Sequence, residues 1–125
     1  KACLSLPACK GFDIGSGFAG TVMRGSEHND SFEMREGLPY PTTNRAGGVL
    51  GGITTGAPLT ARCAFKPVST HFQTQQTVDQ SGREITFKNQ GRHDPCVVPR
   101  AVPLVEAAFL LTLADHALQI AALKA

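Results

Sequence analysis

The 125 residues are 42% hydrophobic and 6% aromatic, with no Trp and a formal net charge of +2. That length suffices for one compact domain that buries roughly two thirds of its unfolded surface, around a core of Val, Leu, Ile, Ala and Phe. Twelve basic residues against ten acidic ones, scattered along the chain, exclude a general nucleic-acid binder, which needs a concentrated basic face.

Residues 3–14 alternate weakly between apolar and polar and then meet Gly15 and Gly17, so they read as a short strand ending in a turn. Residues 18–24 read as a short helix closed by Gly25. Residues 26–43 are polar, carry Pro39 and Pro41 and lack a period, which predicts a long loop of the functional or mobile kind. Glycine dominates residues 44–56, a density tolerated where backbone passes close to another group. Residues 59–65 alternate as a half-buried strand should. Residues 68–78 and 84–88 are rich in Thr, Val, Ile and Phe and flank Asp79-Gln80-Ser81-Gly82, which predicts a hairpin. The end is helical: Val102, Val105, Ala108, Phe109, Thr112, Leu113, His116, Ile120 and Leu123 share one face. Leu110, Leu111 and Leu118 widen that stripe, so burial on more than one side is expected. Pro103 belongs in the first turn, where its missing N–H does no harm.

Cys3, Cys9, Cys63 and Cys96 form no close C-x-x-C pair. A dense disulfide scaffold or a zinc site is therefore not expected, and reduced thiols filling core gaps in a cytoplasmic protein are. No signal-peptide pattern opens the chain. The most apolar stretch, residues 97–123, contains Arg100, Glu106, Asp115 and His116. Each such charge at a bilayer centre costs about 2.5–3.5 kcal/mol, so no membrane span is expected. Lys1 lacks a preceding Met and begins in mid-element, as expected of a processed or partial polypeptide.

The segment Gly91-Arg92-His93-Asp94-Pro95-Cys96-Val97-Val98-Pro99-Arg100-Ala101-Val102-Pro103-Leu104-Val105-Glu106-Ala107 resembles the C-terminal signature of the chorismate synthase family. The glycine-rich residues 44–56 and Phe65-Lys66-Pro67-Val68-Ser69-Thr70 are similar to two further family blocks, in order and spacing. Pro7-Ala8-Cys9-Lys10-Gly11 and the stretch from Gly25-Ser26 to Asn29-Asp30 fit as well. The resemblance covers nearly the whole chain but only about the last third of a typical member. It implies an α+β fold, antiparallel strands packed on helices, as part of a βαβ sandwich with a long C-terminal helix. Residues 1–125 are then the C-terminal portion of a single domain. The implied activity is elimination of phosphate from 5-enolpyruvylshikimate 3-phosphate to give chorismate, in a cytoplasmic homotetramer that uses reduced FMN. NADPH enters only if the enzyme reduces its own flavin.

Such a substrate and cofactor bring two carboxylates, two phosphates and an anionic ring, which call for Arg forks, Lys charges and N–H donors. The resemblance implies Ala8, Gly51, Lys66, Pro67, Val68, Ser69, Thr70 and Arg92 as flavin-binding residues, with the Ala8 contact made through backbone. Gly51 and Gly52 would admit a flat ring without a Cβ clash. It also implies that Arg92, His93 and Asp94 serve catalysis, with Asp94 handling a proton at the flavin N5. Gly51–Gly52, Lys66 and Arg92 are expected to converge on one cavity. If the segment around His93 is extended, Arg92 and Asp94 point one way and His93 the other.

Taken singly, each feature has a plainer reading. An Arg-x-Asp pair is usually a weak surface ion pair, a glycine-rich stretch a turn, and His28, His71 and His116 ordinary solvated, strand and helix residues. Arg100 and Glu106 open the last helix, and structural roles are expected for both. The family's Gly-Asp-Ser-His motif and its arginine-rich motif with a second His are not in this sequence, so a complete active site is not expected from these residues alone. The rival reading is a folding or oligomerisation piece without a ligand of its own.

Overall fold

The computed structural model describes residues 1–124. Two units divide the chain, residues 1–64 and 65–125.

The first unit opens with a 3-10 turn, Cys3–Ser5, and reaches β1, Cys9–Ile14, through Ala8 at φ 65°. A left-handed conformation costs an L-residue about 1–2 kcal/mol, so the chain holds Ala8 there against its preference. β1 pairs with β6, Ala61–Phe65. Ala61, Cys63 and Phe65 are half-buried and Arg62 and Ala64 exposed, the expected alternation. Arg62 forks onto Asp13 of β1, Nε to Oδ1 at 3.0 Å and Nη2 to Oδ2 at 2.6 Å. Cys3, Cys9 and Ala57 are buried. Cys63 adjoins the first two, and its thiol is pushed up to about 11 by burial and by the neighbouring Cys3 and Cys9. Reduced core thiols match the expectation for this part of the chain.

Three local readings change. The short helix expected over residues 18–24 is a 3-10 helix, Gly17–Val22; two glycines in six residues do not support propagation of α-helix. Gly25 does not stop a helix but begins one, α1, Gly25–His28, whose entry is capped by Glu27 Oε2 accepting from the Arg24 N–H at 3.0 Å. The expected loop over residues 26–43 contains a hairpin of β2, Phe32–Arg35, and β3, Leu38–Pro41, with Arg35 facing Leu38 across the turn. Glu36 and Gly37 both take positive φ, 52° and 80°, as a two-residue type I′ turn requires. Pro39 and Pro41 sit on a strand with one partner, where a missing N–H is tolerated.

The glycine-rich segment forms a second hairpin, β4 Val49–Leu50 and β5 Ile53–Thr54. Gly51 and Gly52 supply its turn at φ 57° and 83°. Just before it, a Cβ on Gly47 would overlap the Gly15 backbone, so glycine is required there by close approach.

In the second unit, residues 66–70 have no regular structure. The strand expected over residues 68–78 is confined to β7, Gln75–Val78, because Pro67 and local side-chain bonds occupy the first part. His71 lies outside any strand: its Nδ1 accepts from the Gln73 N–H at 3.2 Å, its Nε2 meets the Gln75 amide, and its carbonyl accepts from Asn89 at 3.1 Å. β7 pairs antiparallel with β8, Glu84–Phe87. At the expected turn, Asp79 Oδ1 accepts from the Ser81 and Arg83 amides at 2.8 and 3.0 Å. The Ser81 hydroxyl and Arg83 hold the Asp79 carboxyl below its ordinary range.

The chain closes with α2, Val98–Lys124. It starts before Pro103, which falls in the second turn and deprives the Pro99 carbonyl of its helical donor. Burial on more than one side does not occur: Ala101 is its buried residue, while Leu110, Leu111, Leu118 and Leu123 are 66–87% exposed. A four-residue-strand hairpin offers too little apolar surface to cover 27 helical residues. α2 is also long and apolar enough to cross a membrane. Small antiparallel sheets with a C-terminal helix make the fold α+β, as expected.

Candidate functional site

The residues expected to bind or react divide between the units. Ala8 and Gly51 belong to the first, and Lys66, Pro67, Val68, Ser69, Thr70, Arg92, His93 and Asp94 to the second.

Ala8 is half-buried, in its left-handed turn. A Cβ on Gly51 or Gly52 would face open space, so bare backbone at this hairpin tip is accessible to a flat ligand. The turn geometry already demands glycine at both positions, which is a reason independent of any ligand. Lys66, Pro67 and Ser69 are exposed, and Val68 and Thr70 half-buried.

Beside the start of α2 lies a charged cluster. Arg92 Nη1 is 3.3 Å from Asp94 Oδ1, and Arg100 Nη2 is 2.9 Å from Asp94 Oδ2. One carboxylate is thus gripped by two guanidiniums, from the loop and from the first turn of α2. Asp94 is only 33% exposed at its side chain, whereas Arg92 is 85% and Arg100 75% exposed. The arginines retain N–H donors for an anion. His93 has other neighbours, its Nε2 3.3 Å from the Gln90 carbonyl oxygen and its ring 6.3 Å from that of Phe72.

Two residues carry more than sequence reasoning assigned them. Arg100, for which a structural role was expected, makes the shorter contact with Asp94, a partner that expectation did not name. His28 is not a solvated loop residue. It ends α1, half-buried, and shares a 2.7 Å hydrogen bond between its Nε2 and Ser16 Oγ. Two residues on, Asp30 is buried at 7% exposure. It accepts from the Thr43 hydroxyl at 2.5 Å and from the Arg45 and Ala46 N–H groups at 2.9 Å each. Burial alone would raise the Asp30 carboxyl, but these donors and the nearby His28 outweigh it and hold the carboxyl below its ordinary value. Asp30 went unread because nothing local in Asn29-Asp30 reveals donors fifteen residues away.

The chorismate synthase family model matches residues 1–118. The chain belongs to the chorismate synthase family. Among its relatives, the chorismate synthase of Opitutus terrae is 61% identical over 116 residues, covering 93% of this chain and 32% of the relative. That of Methylacidiphilum infernorum is 60% identical over 119 residues, covering 95% and 32%. That of a Synechococcus strain is 56% identical over 120 residues, covering 95% and 33%. The chain therefore spans about a third of the length of the curated relatives it matches. A crystal structure of chorismate synthase superposes with a TM-score of 0.52 at 39% identity, over 54% of this chain and 20% of that one.

Proposed function

We propose that this chain supplies the C-terminal portion of a single chorismate synthase domain. In that role it takes part in eliminating phosphate from 5-enolpyruvylshikimate 3-phosphate to give chorismate in the shikimate pathway. The observation that carries the reading is the Asp94 carboxylate held between Arg92 and Arg100 inside the family's signature segment. An anionic substrate and an anionic cofactor need such forked cations, and a fixed carboxylate between them is suited to proton handling.

The donor set suits FMN. Accessible backbone at Gly51 can lie against the ring, and Lys66, Ser69 and Thr70 offer a charge and two hydroxyls to the phosphate or ribityl chain, flanked by Pro67 and Val68. Ala8 contributes backbone, and its retained positive φ is the strain often found where backbone meets a ligand. Reduced FMN held there would supply electron density while phosphate departs, with no net redox change. Asp94 holds and returns a proton at the flavin N5, Arg92 binds flavin or substrate, and Arg100 fixes the direction of the Asp94 carboxylate. His93 lies beside them as a further polar group. NADPH is required only if the enzyme reduces its own flavin.

The remaining two thirds of a family-length chain would carry the histidine motifs and cover α2 within a βαβ sandwich, in a cytoplasmic homotetramer. Glu106, Asp115 and His116 favour such cover over a bilayer. Titrating FMN, and following its absorbance, into this chain and into a family-length chain that includes it tests the proposal. Perturbation with the longer chain is expected. No perturbation with either folded protein overturns the reading and leaves the ligand-free folding piece.

A further inference from the structure

The polar network around Asp30 closes into a ring. Asp30 Oδ1 and Oδ2 accept from the Arg45 and Ala46 amides, the Arg45 carbonyl accepts from the Ser16 N–H at 2.7 Å, and Ser16 Oγ meets His28 Nε2. Two peptide bonds then return from His28 to Asp30. One buried carboxylate therefore holds the backbone at Arg45 and Ala46 and the Thr43 hydroxyl, and that segment leads into the Gly51 hairpin. The hairpin base continues the same lattice. Gly47 accepts from the Thr60 N–H at 3.1 Å, Gly48 accepts from the Thr55 N–H at 3.0 Å, and Asn44 Nδ2 donates to the Pro58 carbonyl at 2.8 Å. Gly15 and Gly47 lack the side chains that would force these strands apart.

We infer that Asp30 is a positioning residue: by holding the amides of Arg45 and Ala46 it sets the place of the β4–β5 hairpin and of the bare backbone at Gly51. A neutral amide at this position could accept from one of the two N–H groups but would set its own NH2 against the other. A hydroxyl lost at Thr43 would leave the Asp30 carboxylate one donor short and hold the Arg45 and Ala46 amides less firmly, without removing either bond. The effect on Gly51 is therefore graded and separable from loss of folding. The inference deepens the flavin-binding reading and rests on it.

The test compares wild-type, Asp30→Asn and Thr43→Val forms of the family-length protein by amide hydrogen exchange and by FMN titration with absorbance. Exchange at Arg45 and Ala46 should quicken at least about tenfold in Asp30→Asn and less in Thr43→Val. FMN affinity should weaken in the same order, with a bound-flavin spectrum displaced from wild type. If Asp30→Asn fails to fold, Thr43→Val alone decides, and it must show both changes. Unchanged exchange in the folded variants overturns the anchor. Faster exchange with unaltered FMN affinity and spectrum overturns the positioning role. Wild-type protein that binds no FMN overturns the parent reading and with it the positioning of a flavin contact, while the exchange data still judge the anchor.

Discussion

At Asp94 two guanidiniums meet one carboxylate, and the proposed chemistry needs that carboxylate as a proton acceptor. Asp94→Asn in the family-length enzyme keeps the shape and removes the acceptor. Flavin affinity should stay within a few-fold of wild type while turnover falls by about 10²-fold or more; turnover equal to wild type removes Asp94 from the mechanism. The thiols offer a check on the first unit. Thiolate is the reactive form, Cys63 is pushed up to about 11, and Cys96 is exposed. Iodoacetamide at neutral pH should label Cys96 first, and prior labelling of Cys63 contradicts the buried thiol cluster. Asp30 sets an acid limit. Its folded value lies below the ordinary 3.8, so its contribution to stability is complete above that value and is lost as pH falls through the lower folded one. Unfolding midpoints of the native protein should therefore drop in that acid window, and Asp30→Asn should flatten the drop.

The elements show which parts of the fold the sequence could disclose. Alternation over residues 59–65, the Asp79 turn and the helical face from Val102 to Leu123 each repeat a local rule, and each element formed. The β2–β3 hairpin stayed hidden because its type I′ turn uses Glu36 in place of the usual Asn or Asp, and because two prolines masked an edge strand. The burial of α2 was misjudged since helical periodicity reports a face without saying what covers it. The contacts within each part of the candidate site followed the same division. The Arg92–Asp94 contact joins residues two apart and was readable from the sequence, whereas Arg100 and Asp30 gain their partners only once the chain is folded. A Gly52→Ala change probes the hairpin tip, where space is open but φ is 83°. It should cost about 1–2 kcal/mol of local stability, read as faster amide exchange over residues 49–54; no change there would mean the turn is not held left-handed.

On the scale of the whole molecule, the exposed leucines of α2 are the largest departure from a self-sufficient domain. A buried leucine contributes about 1.5–3 kcal/mol relative to an exposed one, so leaving several uncovered forgoes much of the stability a small domain has available. On the proposed reading, the rest of a chain about three times as long, as in the relatives, would cover those side chains. Leu111 is 72% exposed in this chain, so Leu111→Asp should shift the stability of the isolated chain by less than about 0.5 kcal/mol. In the family-length protein the same change should cost about 3 kcal/mol or more. Equal small effects in both proteins, by denaturant titration, would leave α2 uncovered in either.

Amide hydrogen exchange of the family-length protein with and without FMN tests the central assignment most directly. Slowed exchange around residues 8–9, 51–52, 66–70 and 92–94 is the expected result (proline lacks an amide, so Pro67 is read through its neighbours). Bound flavin that leaves all four segments exchanging as in the free protein would contradict it.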